Sequence, residues 1–247
     1  KFYTKNGFGE YTNTCVISAE YNDLGDRVYW NKNNLSLLCG QFKRLFDKTP
    51  NDLKRYYLHF RNGTPMKFII DYDQKVSLGI KMPKDYIGVI EYEISNWLSE
   101  LFKTEITYNL YDSTRESKIS RHILYHGIYF TNVEYGKQLL HFIKDKLYRK
   151  DDENGYYKQY ADLIDDKIYK NGGSVRFYNC HKISDIKSKK VEGARFIGKN
   201  NADWSYHFHS CVNFNCELCV DNVFKQSLLS EKSYISDGIL GDNSSKK

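Results

Sequence analysis

Residues 66–73 read MKFIIDYD, Met66 through Asp73. The run is rich in β-formers and follows the breaker Gly63-Thr64-Pro65, so it is expected to be a strand that ends in acid. Alternate side chains of a strand share a face, which puts Asp71 and Asp73 on one side. Two ionised carboxylates side by side repel unless a cation lies between them. Oxygen ligands of this kind suit Mg²⁺ or Mn²⁺. A pair of acids at a strand end also marks an ordinary solvated surface, so the meaning of this stretch depends on what surrounds it.

Working outward, residues 87–103 place Ile87, Ile90, Ile94, Trp97, Leu98 and Leu101 on one helical face. Residues 118–130 (KISRHILYHGIYF) read as a second strand. Thr131 and Glu134 have capping-box spacing ahead of a helix carrying Leu139, Phe142, Ile143 and Leu147. The polar stretch 150–158 (KDDENGYYK) reads as a loop and 174–178 (SVRFY) as a third strand. Upstream, 34–46 carries Leu35, Leu38, Phe42 and Leu45 at helical spacing behind a capping Asn. The tail 241–247 (GDNSSKK) is expected to be disordered. Strands mixed with long helices predict an α+β architecture.

Two further stretches carry chemistry. In Lys118-Ile119-Ser120-Arg121-His122 the alternation puts Lys118, Ser120 and His122 on one strand face. A cation, a hydroxyl and an imidazole in a row can hold phosphate oxygens through charge-assisted bonds. From Asp165 to Lys182 (DDKIYKNGGSVRFYNCHK) there is a third carboxylate, Asp165 or Asp166. A turn at Asn171-Gly172-Gly173 follows, then the cations Arg176 and Lys182. A haloacid-dehalogenase reading of hydrophobic-DxD wants Thr or Val where this chain has Lys75.

Taken in order, these motifs resemble the archaeo-eukaryotic primase superfamily, nearest to PrimPol-like enzymes and the primase portion of viral primase-helicases. That family has a hydrophobic strand ending in DxD or DxE, then Lys-x-Ser-x-His on a strand. An Asp four residues before Tyr comes next, then an Asn-bearing turn and an Arg-x-Tyr strand. Here the matching residues are Asp71 and Asp73; Lys118, Ser120 and His122; Asp165 ahead of Tyr169; Asn171; and Arg176-Phe177-Tyr178, with Lys182 at the place of a phosphate-binding lysine. The likeness covers roughly residues 60–185, and Gly172 stands where the family often has Arg. The resemblance implies a catalytic RNA-recognition-like part (61–200) joined to an N-terminal α/β module (1–60). It implies DNA-templated joining of nucleoside triphosphates, as primase or primer-extending polymerase, on a single-stranded DNA template with a primer strand. Asp71, Asp73 and Asp165 would hold two Mg²⁺ or Mn²⁺ ions, and Lys118, Ser120, His122, Arg176 and Lys182 would bind the nucleotide. A helicase domain in the same polypeptide is a further implication.

The remaining segment, 201–247, contains HFHSCVNFNCELC at 207–219. Cys216 and Cys219 in a Cys-x2-Cys pair, with Cys211 and His209, make a candidate tetrahedral Zn²⁺ site. Buried thiols on an amphipathic segment are the plainer alternative.

Composition narrows the class. With 247 residues, 40% of them hydrophobic and 16% aromatic, the chain can build a sizeable core. Its net charge of +6, from 37 Lys and Arg against 31 Asp and Glu, fits a polyanionic partner. No apolar run approaches the ~20 residues needed to cross a bilayer. No secretory signal is legible at the start, so the expectation is no membrane and no secretion. The six Cys are then read as thiols or metal ligands in the cytoplasm or nucleus. A first residue of Lys is expected of a segment from a longer polypeptide. Two other functions compete: a DxD-dependent nucleotide-sugar transferase, which gives Ser120, His122 and Arg176 no role, and a non-catalytic nucleic-acid-binding module.

Overall fold

The computed structural model describes residues 2–3, 15–20, 27–31, 42, 44–50, 53–60, 62–75, 82–114, 118–150, 152–177, 180–181, 195–197 and 218–221. The expectations placed on 34–41, Lys182, 207–217 and 241–247 lie outside these residues.

The strand expected at 66–73 is β5, Met66–Lys75. Met66, Phe68, Ile70, Tyr72 and Gln74, on one face, are all buried. Lys67 and Ile69 on the other face are buried as well, and the alternation of a strand whose one side lies on a core appears only from Ile70 onward. That core is supplied by two long helices. In α1, Lys84–Phe102, the residues Ile87, Ile90, Ile94 and Leu98 are buried. In α2, Val133–Arg149, Leu139, Leu140, Ile143 and Leu147 are buried. Each such side chain taken out of water stabilises the fold by roughly 1.5–3 kcal/mol, so this layer dominates the energetics.

Three local details differ from the sequence reading. The N-cap of α2 is Asn132, whose side chain accepts from the Glu134 N–H. Thr131 is engaged elsewhere, its backbone N–H and Oγ1 both donating to the Asp221 carboxylate. The polar stretch 150–158 is a loop only at its start. The Asp152 carboxylate accepts from the Tyr156 and Tyr157 N–H groups and opens a short helix, α3, Tyr156–Asp162. Tyr157 and Tyr160 are buried, so apolar burial overrode the polar composition. The third strand runs over Ser174–Arg176 and leaves out Phe177, while Tyr178 lies outside the described residues.

Two sheets result, and the class is α+β. The first has the order β1-β3-β2-β4-β9, from Phe2–Tyr3, Arg27–Asn31, Cys15–Glu20, Tyr56–His59 and Ser174–Arg176. The second has the order β10-β6-β7-β5-β8, from Arg195–Ile197, Thr107–Asp112, Lys118–Phe130, Met66–Lys75 and Ile164–Asp165. A short β11, Leu218–Cys219, lies parallel to the end of β7. The chain passes β5-α1-β6-β7-α2-α3-β8, and its four strands stand antiparallel in the spatial order β6-β7-β5-β8. That is a split β-α-β arrangement, with the first and third strands at the centre.

Register along β5 and β7 changes between the pairs Lys67–Tyr129 and Ile69–Leu124, a bulge that takes more residues from β7 than from β5. Gly127 lies within it at φ +100°, and a Cβ there would meet the Glu105 carbonyl oxygen at 2.5 Å. On the β5 side the bulge is closed by a side chain. The Tyr169 hydroxyl donates to the Ile69 carbonyl at 2.6 Å and accepts from the Ile69 N–H at 2.9 Å.

Candidate active site

The face of β5 opposite the helices carries Asp71 and Asp73, and the register shows what faces them. Asp71 is the cross-strand partner of His122, Asp73 of Ser120 and Lys75 of Lys118. Directly paired residues project to the same side of a sheet, so both polar rows lie on one face. On the other flank of β5, Asp71 pairs with Asp165. Asp165, Asp71, His122 and Tyr111 therefore form one row across β8, β5, β7 and β6. Tyr111 was missed from sequence, since β6 has no charge pattern to draw attention to it.

The two candidates for the third carboxylate part company here. Asp165 stands against Asp71, and its Oδ1 accepts from the Lys167 N–H at 2.8 Å. Asp166 is half-exposed and lies 3.6 Å from His141 Nε2 on α2. The segment is held by Tyr169, four residues on, whose ring packs against Phe60, Phe68 and Phe130 while its hydroxyl engages Ile69. The Asp-to-Tyr spacing thus links Asp165 to the same strand that carries Asp71.

The turn at 171–173 joins the two sheets. The Gly172 N–H donates to the Phe60 carbonyl, and the Phe60 N–H to the Gly173 carbonyl, both at 2.8 Å. Gly172 has φ +87°, a conformation that strains a side-chain-bearing residue, which accounts for Gly at this position. Beyond the turn, β9 pairs with β4 so that Arg176 stands opposite Tyr57. The Arg176 charge reaches Asp71 and helps to hold its carboxylate ionised.

The acids differ in how they are satisfied. Asp73 is fully engaged: Ser120 Oγ donates to Oδ1 at 2.6 Å, and Lys118 Nζ lies 2.7 Å from Oδ2. Asp71 is more enclosed. His122 Nε2 lies 3.4 Å from its Oδ1, an ion-pair distance, yet that buried oxygen accepts no hydrogen bond among the described residues. Burial pushes the Asp71 carboxyl up, but His122, then Lys118 and Arg176, outweigh it and hold it below the usual carboxylate range. A buried carboxylate oxygen with only the long His122 contact among the described residues, beside a second carboxylate across the strands, has the donor chemistry that a hard divalent cation takes. Among the described residues no three His, Cys, Asp or Glu side chains converge as a metal-holding group.

Of the Cys and His at 207–219, only Cys219 is described. It is a free thiol on β11, beside Tyr129 of β7. Lys182 and the other candidate zinc ligands, His209, Cys211 and Cys216, lie outside the described residues. Among the described residues no helix is long and apolar enough to cross a membrane. Neither the protein-family models nor the curated proteins compared with the chain match it.

Proposed function

We propose that the chain is a DNA-templated nucleotidyltransferase of the archaeo-eukaryotic primase type, acting intracellularly on nucleoside triphosphates. The observation that carries this reading is the shared face: Asp71 and Asp73 lie in direct register with His122 and Ser120, and Asp165 lies opposite Asp71. The split β-α-β order of the second sheet agrees with the RNA-recognition-like sheet of that family. Arg176, brought in from the first sheet, adds a cation where a triphosphate would lie.

In this reading Asp71, Asp73 and Asp165 hold the metals. Bound Mg²⁺ or Mn²⁺ supplies activation of a 3′-hydroxyl and neutralisation of the departing pyrophosphate. Ser120, His122, Lys118 and Arg176 grip the triphosphate and orient its α-phosphate in line with the attacking oxygen, Lys182 being the further candidate. The experiment is incubation with single-stranded DNA template, Mg²⁺ or Mn²⁺ and labelled nucleotides, with and without primer. Template-dependent product that chelation removes is expected. Folded protein that makes no product under any of these conditions overturns the proposal.

A second reading draws on Asp73, whose charge is paired with Lys118 and whose other oxygen accepts from Ser120. A non-catalytic nucleic-acid-binding module would carry such self-paired charges, and it would bind template in the same assay without extending primer.

A further inference from the structure

The sheet carries an ion pair on each face, and the two are built differently. On the helix side Arg121 clamps Glu91 through both carboxylate oxygens, at 3.2 and 3.1 Å, with side-chain exposures of 9% and 1%. On the site side Lys118 and Asp73 meet at 2.7 Å with exposures of 34% and 36%. The first pair is enclosed by the core, and separating it would strand buried charge. The second is open to solvent and contributes little to stability, so a competing cation can take its place.

Resting on the metal-binding reading above, we propose that Lys118 stands in for a divalent cation on Asp73 in the metal-free protein, and that metal entry displaces it. The two acids of β5 differ in what already occupies them. Asp71 Oδ1 is buried and accepts no hydrogen bond among the described residues, its nearest cationic group being His122 Nε2 at 3.4 Å. Each Asp73 oxygen already has a partner, Ser120 on Oδ1 and the Lys118 ammonium on Oδ2. An ammonium and a divalent cation on Asp73 Oδ2 at contact distance repel each other, so the arrival of one weakens the hold of the other. The displaced ammonium remains on the face that carries His122, where it is available to triphosphate oxygens. Metal and triphosphate therefore assist each other: the metal frees Lys118, and a triphosphate that engages Lys118 unblocks Asp73.

The test is Mn²⁺ affinity, measured by electron paramagnetic resonance of the free ion at fixed pH and ionic strength without nucleotide. The chains compared are the wild type, Lys118→Met, Lys75→Met and Asp71→Asn. Lys75 is the cross-strand partner of Lys118 and is exposed on the same face, so its removal reports the general effect of deleting a positive charge. Lys118→Met is expected to tighten Mn²⁺ binding by about three- to fivefold, the scale of a half-exposed ion pair. Lys75→Met is expected to do less. Equal affinities of wild type and Lys118→Met overturn the exchange, as does a tightening that Lys75→Met matches. Melting curves confirm that each variant is folded. Mn²⁺ binding that ignores Asp71→Asn removes the metal reading itself, a failure distinct from that of the exchange.

Discussion

Asp71 and Asp165 are direct cross-strand partners in the antiparallel pairing of β5 with β8, although most of the second sheet and both long helices separate them in sequence. The pairing makes the third acid part of the site that Asp71 and Asp73 begin.

Substitutions in the two polar rows are expected to act on different kinetic constants. Asp71→Asn keeps the shape and removes the charge, so kcat for primer extension should fall by about a hundredfold or more while template affinity barely changes. His122→Ala should raise the nucleotide KM and leave turnover at saturating nucleotide, because loss of uniform binding acts on KM. Steady-state extension kinetics on folded variants check this split. Wild-type extension by Asp71→Asn would sink the metal assignment and the primase reading with it.

Tyr169→Phe keeps the ring among Phe60, Phe68 and Phe130 but deletes the hydroxyl that serves both the N–H and the C=O of Ile69. Two buried backbone groups lose their partner, at a cost of about 1–3 kcal/mol. Urea unfolding should show that loss, and extension activity should fall as well, because β8 and Asp165 are held less firmly against β5. Unchanged stability would mean that Ile69 finds another partner.

Stability should depend on pH through Glu91. Burial pushes its carboxyl up to about 7, with Arg121 pulling the other way. A carboxyl whose pKa is higher folded than unfolded takes up a proton on folding. Its contribution is therefore complete below about pH 4.5 and is lost as pH rises through about 7. The decline across that window should be on the order of 2–3 kcal/mol, and Glu91→Gln should flatten it. Urea unfolding of both proteins from pH 5 to pH 8 measures the difference. Parallel profiles would show that Glu91 stays ionised throughout.

The segment 207–219 is expected to bind zinc through His209, Cys211, Cys216 and Cys219. Metal analysis of chelator-washed protein should find about one zinc per chain, and stripping it should lower the melting temperature, because structural zinc contributes to folding. A melting temperature indifferent to zinc removal ends the idea.

The amino-acid order made legible the two long strands and two long helices around the site, which repeat with a short period, but not β6 or β2, β3 and β4 of the first sheet. Alternation along MKFIIDYD and along KISRH places Asp71 with Asp73, and Lys118 with Ser120 and His122, and the structure has both strands with those faces. The α1 and α2 stripes were legible for the same reason, since a residue's place on a helix or strand depends only on its neighbours in the chain. Local ends were less legible where a distant group intervenes. Asp221 takes Thr131 away from the cap it would otherwise form, and buried Tyr157 and Tyr160 turn a polar stretch into a helix.

No local pattern could show that the two polar rows share a face in matching register, or that Asp165, picked out by its spacing to Tyr169, stands against Asp71. A slip of one residue between strands would send every side chain of one row to the opposite face, with each strand's own alternation intact. That register goes with two features the strands' own alternation does not show: the bulge around Gly127, whose backbone lies close to the Glu105 carbonyl, and the Tyr169 hydroxyl bound to Ile69. Both are contacts between residues far apart in the chain, which come together only when the core closes. The acids and the cations were written into their strands, but their meeting was decided by tertiary packing.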